Sequence, residues 1–455
     1  MPFVAAAVAC LLPLAVALPQ GGSAAPVKAG LLTPAERSSL RDKLAKYMLE
    51  DAIYSTASGK ERDKAARSRE KARDAFDAEW VKAEKKGNVM ASMPDLRAVF
   101  ENCFLLKPPA KTIGTLWNEK SKQSQVEYCY VLPKSYKPNV PQLAIWLLPG
   151  RAGADATSPF SKAADYFAAT WDKTTLAAEA IFHIPNPIPG LEYDPIPDFS
   201  READDAEEQR RIDWMWGTYA ETLTMYNVDR GRLFLDCGRG NCGFGLRFVS
   251  MFPDRFAGIV LREPVAVDGL RLGSLAGIPI LLVKSEATAA AVDGLKKRIE
   301  ELAPGSVSVV DAVGEPPYKD LAPKIEEWIR GKRRNPMPMK VVVEPNHDKF
   351  NNAYWADIVV ADRLVSAAAD KKPRLECTAD RAANRITVKA VGVEQFIVYL
   401  NDDLLDLDKE FTIVINDKAV TEKKARNFRD MRESVIKRSD WELLFPVRYN
   451  ATVPK

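Results

Sequence analysis

The stretch from Arg232 to Glu263, RLFLDCGRGNCGFGLRFVSMFPDRFAGIVLRE, constrains the fold more than any other part of the chain. It opens on Leu233-Phe234-Leu235, an apolar run of the length and type that suits a strand buried on both faces. Gly238, Gly240, Gly243 and Gly245 follow, some of them in a turn tight enough that side chains would obstruct it. Phe244, Phe248 and Met251 then recur at helical spacing, and Pro253-Asp254 closes that helix. Ala257 to Leu261 reads as the next buried strand. Strand, glycine turn, helix and strand make one βαβ unit.

That unit resembles the nucleophile elbow of α/β-hydrolases, especially secreted esterases and prolyl-oligopeptidase-like enzymes. In that family a strand ends in G-x-S-x-G-G, and a segment like Pro253 to Ile259 (PDRFAGI) follows shortly after. Laid on both anchors without gaps, Cys237 to Cys242 (CGRGNC) covers the family motif, and Arg239 takes the place of the serine. The scaffold matches and the nucleophile does not.

The surrounding chain predicts the same architecture. Val126, Tyr128, Tyr130 and Leu132 alternate as in a half-buried strand near a sheet edge, and Leu143 to Leu148 is continuous and apolar, as in a central strand. Further strands are expected at Ala177 to Ile184, Ile278 to Val283 and Val307 to Val310. Helical stretches separate most of them, at Ser158 to Trp171, Ala206 to Tyr226, Asn241 to Phe252, Ala290 to Leu302 and Tyr318 to Ile329. Alternation of this kind implies an α/β fold with a mostly parallel, doubly wound sheet over residues 125–331.

Residues 30–105 read as a helical N-terminal segment. Thr33-Pro34-Ala35-Glu36 combines an N-cap, a proline at the first helical position and the glutamate of a capping box. A charged helix from about Lys60 to Lys86 carries Ala72, Phe76, Trp80 and Ala83 on one stripe, and reads as a cap packed on the main domain. Gly331 to Pro338 reads as a charged, proline-broken linker. Residues 340–455 form a β-rich C-terminal domain, which resembles the small domain appended to some secreted bacterial hydrolases.

Residues 1–25 read as a signal peptide: Phe3 to Leu18 lacks any charge, and two small-residue cleavage sites follow. A secreted or periplasmic location is therefore expected, with no stable membrane span after leader removal. A net charge of +3 on 455 residues gives no electrostatic footprint for nucleic acid. Five of the six cysteines lie beyond the leader, with spacings that suit no zinc site. Two histidines in the whole chain make a histidine-based metal centre improbable.

Hydrolysis on this fold needs a nucleophile, a histidine, an orienting carboxylate and backbone donors for the oxyanion. The resemblance places the histidine at Glu315 and the acid at Thr288, with Glu286 and Asp293 nearby. The oxyanion loop corresponds to Pro149-Gly150-Arg151-Ala152-Gly153. Serine, histidine and aspartate are thus all replaced, which implies a catalytically degenerate member with a binding or scaffolding role. The alternative is an active ester or peptide hydrolase. In it Cys242 is the nucleophile, since Gly240-Asn241-Cys242-Gly243-Phe244-Gly245 looks like the elbow of dienelactone hydrolases. In the binding reading Arg151 and Arg239, with Gly150 and Gly240 allowing close approach and Lys284 near, make a cationic pocket. Its ligand is a small anionic or carbohydrate-linked molecule. No cofactor is implied, because Gly238, Gly240 and Gly243 match G-x-G-x-x-G without the strand and ribose acid that motif needs.

Overall fold

The structure is a computed structural model that describes residues 30–104, 113–121, 127–149, 159–185, 216–220, 222–223, 225–265, 267, 269–313 and 318–454. Eight strands form one sheet: β1 (Leu116–Lys120), β2 (Glu127–Val131), β3 (Gln142–Leu148), β4 (Ile181–Pro185), β5 (Val228–Gly238), β6 (Gly258–Arg262), β7 (Ile280–Lys284) and β8 (Val307–Asp311). Their order is β1-β2-β4-β3-β5-β6-β7-β8, with β1 and β2 antiparallel and every pair from β4 to β8 parallel. This is an α/β-hydrolase-like sheet, and β5 lies at its centre.

Alternate residues of each strand supply the two apolar layers. Trp146, Leu235 and Ile259 pack with helix α5 (Asn241–Met251) and helix α6 (Ala289–Leu302) on one face. Ile145, Phe234 and Val260 pack with α4 (Pro159–Thr170) and α7 (Ala322–Arg330) on the other. The strand around Tyr128 lies near the sheet edge as its alternation suggests, but it is buried on both faces and not on one. Tyr128 and Tyr130 enter one layer and Cys129 and Val131 the other, because β1 pairs along its outer side and takes the edge.

The N-terminal helices are α1 (Pro34–Thr56), α2 (Gly59–Glu84) and α3 (Met93–Phe100), and the Thr33–Glu36 capping box forms as read. Their stripe does not pack on the large sheet. Phe76 and Phe100 lie 4.9 and 5.9 Å from Phe428 of α8 (Phe428–Arg438), and Met431, Val435 and Trp441 complete that cluster. The cap therefore sits on the C-terminal part of the chain.

That part holds two antiparallel-rich sheets around one core. One contains β10 (Asn352–Ala353), β11 (Ala356–Ala361), β14 (Val393–Leu400) and β17 (Val447–Thr452). The other contains β9 (Lys340–Val343), β12 (Arg374–Asp380), β13 (Arg385–Val391), β15 (Phe411–Ile415) and β16 (Lys418–Glu422). Asn416 and Asp417, both at positive φ (43° and 69°), make the two-residue hairpin turn between β15 and β16. The last strand is Val447–Thr452, and the apolar run before it, Leu443-Leu444-Phe445, is buried as a loop. The linker is also firmer than its composition suggests. Arg334 within it is 4 % exposed and pairs with Asp440 and Glu442 at 2.5 and 2.6 Å.

Candidate functional site

Strand β5 ends at Gly238, and the next residue adopts a left-handed conformation. Arg239 has φ 37°, its N–H donates to the Arg262 carbonyl at 2.7 Å, and its carbonyl accepts from Cys242 N–H at 3.0 Å. A non-glycine residue pays about 1–2 kcal/mol for this backbone, so the turn is held by its surroundings. Gly245 permits α5 to approach β5: a Cβ there would stand 2.3 Å from Cys237 Sγ. Gly240 has no such reason, since its φ is −58° and a Cβ would meet nothing within 4 Å. Asn241 Nδ2 donates to the Pro149 carbonyl and ties the turn to the end of β3.

Arg239, which the resemblance aligns with the nucleophile, donates through Nε to Glu263 Oε2 at 2.6 Å. Glu263 follows β6, has φ 56° and keeps only 4 % of its side chain exposed, whereas Arg239 keeps 58 %. Burial alone would raise the Glu263 carboxyl. The Tyr318 hydroxyl, the Arg239 guanidinium and the Ser285 hydroxyl around it hold it below the ordinary glutamate range. Burial first, and the Glu263 carboxylate second, raise the Tyr318 hydroxyl, while Arg239 and Ser285 work in the opposite direction. Tyr318 also sits at positive φ, 60°. Three strained residues from three separate loops thus converge where the resemblance puts catalysis. Glu263 was legible as an acid near Arg239. Tyr318 and Ser285 carried no signal beyond their positions beside the loops of the family site.

Thr288 stands at the acid position and does something else. Its hydroxyl lies 3.1 Å from Ser285 Oγ and accepts from Ser285 N–H at 3.2 Å, closing a capping box at the turn that leads into α6. Glu286 is exposed, and Asp293 lies 3.6 Å from Lys284, which also faces Asp311 at 3.9 Å. Lys284 is therefore engaged at the β7–β8 end of the sheet. Glu315, Gly150 and Arg151 lie outside the described residues.

The nucleophile reading of Cys242 is corrected by its environment. Its thiol is fully buried in the first turn of α5 and points at the Cys237 and Arg262 carbonyls, 3.4 and 3.5 Å away. Burial, followed by the charge of Asp236, pushes it well above the ordinary thiol range, the opposite of an activated thiolate. The described cysteines, Cys103, Cys129, Cys237, Cys242 and Cys377, are all buried and form no disulfide with one another.

Neither histidine serves the elbow. His183 is buried in β4, with Nε2 3.2 Å from Thr218 Oγ1 and Nδ1 3.0 Å from Thr222 Oγ1. Burial pushes it down to about 3, so it stays neutral. It pairs in register with Trp146, which pairs with Leu235, four residues before Arg239. That offset is about 13 Å along the strands and two strand spacings, about 10 Å, across them. His347 accepts from Lys349 N–H at 3.1 Å, in a loop tied through Asn346 to Ser250 at the far end of α5.

Beneath the elbow lies a buried ion pair. Arg262 donates to both Asp236 oxygens at 2.9 Å, and Trp171 Nε1 donates to Asp236 Oδ2 at 2.9 Å. This pair fixes the ends of β5 and β6, the strands that present Arg239 and Glu263. Among the described residues no group of histidine, cysteine, aspartate or glutamate is arranged to hold a metal ion, and no helix is long and apolar enough to cross a membrane.

No protein-family model matches the chain, and no curated protein matches it in sequence. Solved structures do match over about half of it. A thermostable esterase aligns over 48 % of this chain and 63 % of its own, at 19 % identity and a TM-score of 0.38. The S-formylglutathione hydrolase FrmB from Staphylococcus aureus aligns over 50 % and 98 %, at 15 % identity and 0.34. A ferulic acid esterase from Anaeromyces mucronatus, solved with ferulic acid, aligns over 50 % and 94 %, at 13 % identity and 0.36.

Proposed function

We propose that this chain is an exported, non-catalytic relative of the ester and peptide hydrolases that share its fold, with the vacated elbow serving as a binding face. The observation that carries this reading is the location of the two histidines. One is sealed in the sheet between threonine hydroxyls and the other lies at the far end of α5, so no imidazole serves as base at the elbow. The residue at the nucleophile position cannot attack a carbonyl, because its guanidinium stays protonated.

What the elbow retains is recognition chemistry. Glu263 engages Arg239 through Nε, and more than half of the arginine side chain stays exposed beside the cleft. That favours a carboxylate, uronate or phosphate group on a small or carbohydrate-linked ligand. Such a ligand competes with Glu263 for the guanidinium, so its binding is modest and weakens with salt.

The test is an activated-ester assay on the mature chain, from residue 26, with p-nitrophenyl acetate and the variant Arg239→Ser. Neither protein is expected to exceed buffer hydrolysis, because restoring a hydroxyl does not restore the base. Saturable turnover by the unaltered chain would overturn the non-catalytic reading. A thermal-shift series with glucuronate and phosphate checks the binding face: a response lost in Arg239→Ala supports it, and an unchanged response removes it.

A further inference from the structure

Where the N-terminal helices, the large sheet and the C-terminal sheets meet, the chain buries more arginine than carboxylate. Arg255, Arg334 and Arg438 share Asp254, Asp440 and Glu442. Arg334 bridges Asp440 and Glu442, Arg438 reaches Asp254, and Arg255 lies 3.6 Å from Asp254 and 3.9 Å from Asp440. Each carboxylate is taken. A fourth arginine, Arg230 at the start of β5, is 4 % exposed and has no carboxylate among the described residues.

The Arg230 guanidinium is nonetheless well oriented. Nε donates to the Ser439 carbonyl at 2.9 Å, Nη2 donates to the Leu223 carbonyl at 3.2 Å, and its carbon lies 4.7 Å above the Trp441 ring. Its remaining nitrogen, Nη1, is buried with no hydrogen-bond partner, as are Arg255 Nε and Arg334 Nε. Burial pushes Arg230 down to about 10, and the charges of Arg255 and Arg334 work in the same direction against Tyr219 and Asp440. A desolvated guanidinium without a counter-charge is costly, and a cluster with one surplus positive charge does not close on its own.

We propose that Arg230 holds a small monatomic anion, chloride under ordinary conditions, as a buried structural ligand at this three-way junction. A single unengaged nitrogen suits a one-atom acceptor. A carboxylate or phosphate takes two parallel donors from the guanidinium edge, and two of the three nitrogens here already serve backbone carbonyls. The anion neutralises the surplus charge and ties the start of β5 to the Ser439–Trp441 segment and the helical cap around it. This site is separate from the elbow and does not depend on how the elbow is read.

The experiment titrates the mature chain with sodium chloride against sodium gluconate at constant total ionic strength and follows thermal unfolding. Above the binding midpoint the unfolding temperature rises by about 1–2 °C for each tenfold increase in chloride. Bromide reproduces the rise and gluconate does not. Arg230→Met, which keeps the stem and removes the charge, loses the response, while Arg429→Met on the exposed face of α8 keeps it. Equal unfolding temperatures in chloride and gluconate, or an undiminished halide response in Arg230→Met, would overturn the proposal. Should Arg230→Met fail to fold, bromide-soaked crystals of the unaltered chain decide: an anomalous peak at hydrogen-bond distance from Arg230 Nη1 supports the site, and its absence there rejects it.

Discussion

The Asp236–Arg262 pair gives the sharpest stability prediction, because both side chains are buried and two hydrogen bonds join them. Asp236 is 0 % exposed and Arg262 4 %, and the carboxylate takes two guanidinium bonds and the Trp171 indole N–H, all at 2.9 Å. Asp236→Leu leaves a buried guanidinium with no carboxylate at a cost of about 3–5 kcal/mol. It also leaves the Trp171 N–H without its acceptor, for about 1–3 kcal/mol more. Arg262→Met strands the carboxylate with a similar penalty. The double variant removes both charges and fills the site with apolar groups of similar length, so only the unsatisfied Trp171 N–H remains and it is expected about 1–3 kcal/mol below the unaltered chain. The coupling between the two changes is therefore at least about 3 kcal/mol and favourable to the double variant. Urea unfolding followed by tryptophan fluorescence reads this as a shift in midpoint at constant slope. A single variant costing under about 1 kcal/mol, or a double variant no better than the worse single, would refute the reasoning.

Three further outcomes follow from the same geometry. His183 is neutral when folded and titrates near 6.5 when unfolded, so the unfolded state binds more protons between pH 6.5 and about 3. Stability is then present above pH 6.5 and falls by about 1.4 kcal/mol for each unit of acidification below it, a dependence that His183→Gln removes from the pH–stability curve. Gly245→Ala drives a Cβ into Cys237 Sγ and costs about 1–3 kcal/mol, whereas Gly240→Ala, with open space and ordinary φ, stays within about 0.5 kcal/mol; paired thermal melts compare them. A chain that starts at residue 26 gives no fast reaction with Ellman's reagent when native and five equivalents in denaturant, since Cys103, Cys129, Cys237, Cys242 and Cys377 are all buried.

The large sheet was legible because its strands are short apolar runs separated by helical periodicity, a signal strong enough to place β3, β5, β6, β7 and β8 near their observed positions. The charged and polar strands were not. Leu116–Lys120 reads as ordinary surface chain, and only its pairing with Glu127–Val131 makes it the edge. Arg374–Asp380 and Lys418–Glu422 escaped for the same reason: their polar faces point outward, and hydrogen bonding to neighbours sets them as strands. The contact of the helical cap with α8 rests on side chains over 300 residues apart in sequence, such as Phe76 and Phe428. Apolar stripes announce that a partner exists without naming it. At the elbow, the turn after β5 was legible from its glycines, but the burial of Cys242 was not. A cysteine at a helix N-terminus is activated when exposed and inert when packed, and sequence does not distinguish the two.

The elbow stores strain at three points. Arg239, Glu263 and Tyr318 each hold a positive φ that costs of order 1–3 kcal/mol. The strain at Arg239 persists because the fold over-determines it, through the Arg239–Arg262 and Cys242–Arg239 backbone bonds and the tight approach of Gly245 to Cys237. That backbone leaves more than half of the Arg239 side chain exposed. An arginine beside the N-terminus of α5 is electrostatically unfavourable unless an anion accompanies it. Glu263 supplies that anion from the adjacent strand end, itself bent into a left-handed backbone to reach across. The pair is thus self-consistent without a ligand, which accounts for a stable vacated site. It also sets the terms on which a ligand enters: by displacing Glu263 or by using the exposed side of the guanidinium that Glu263 leaves open.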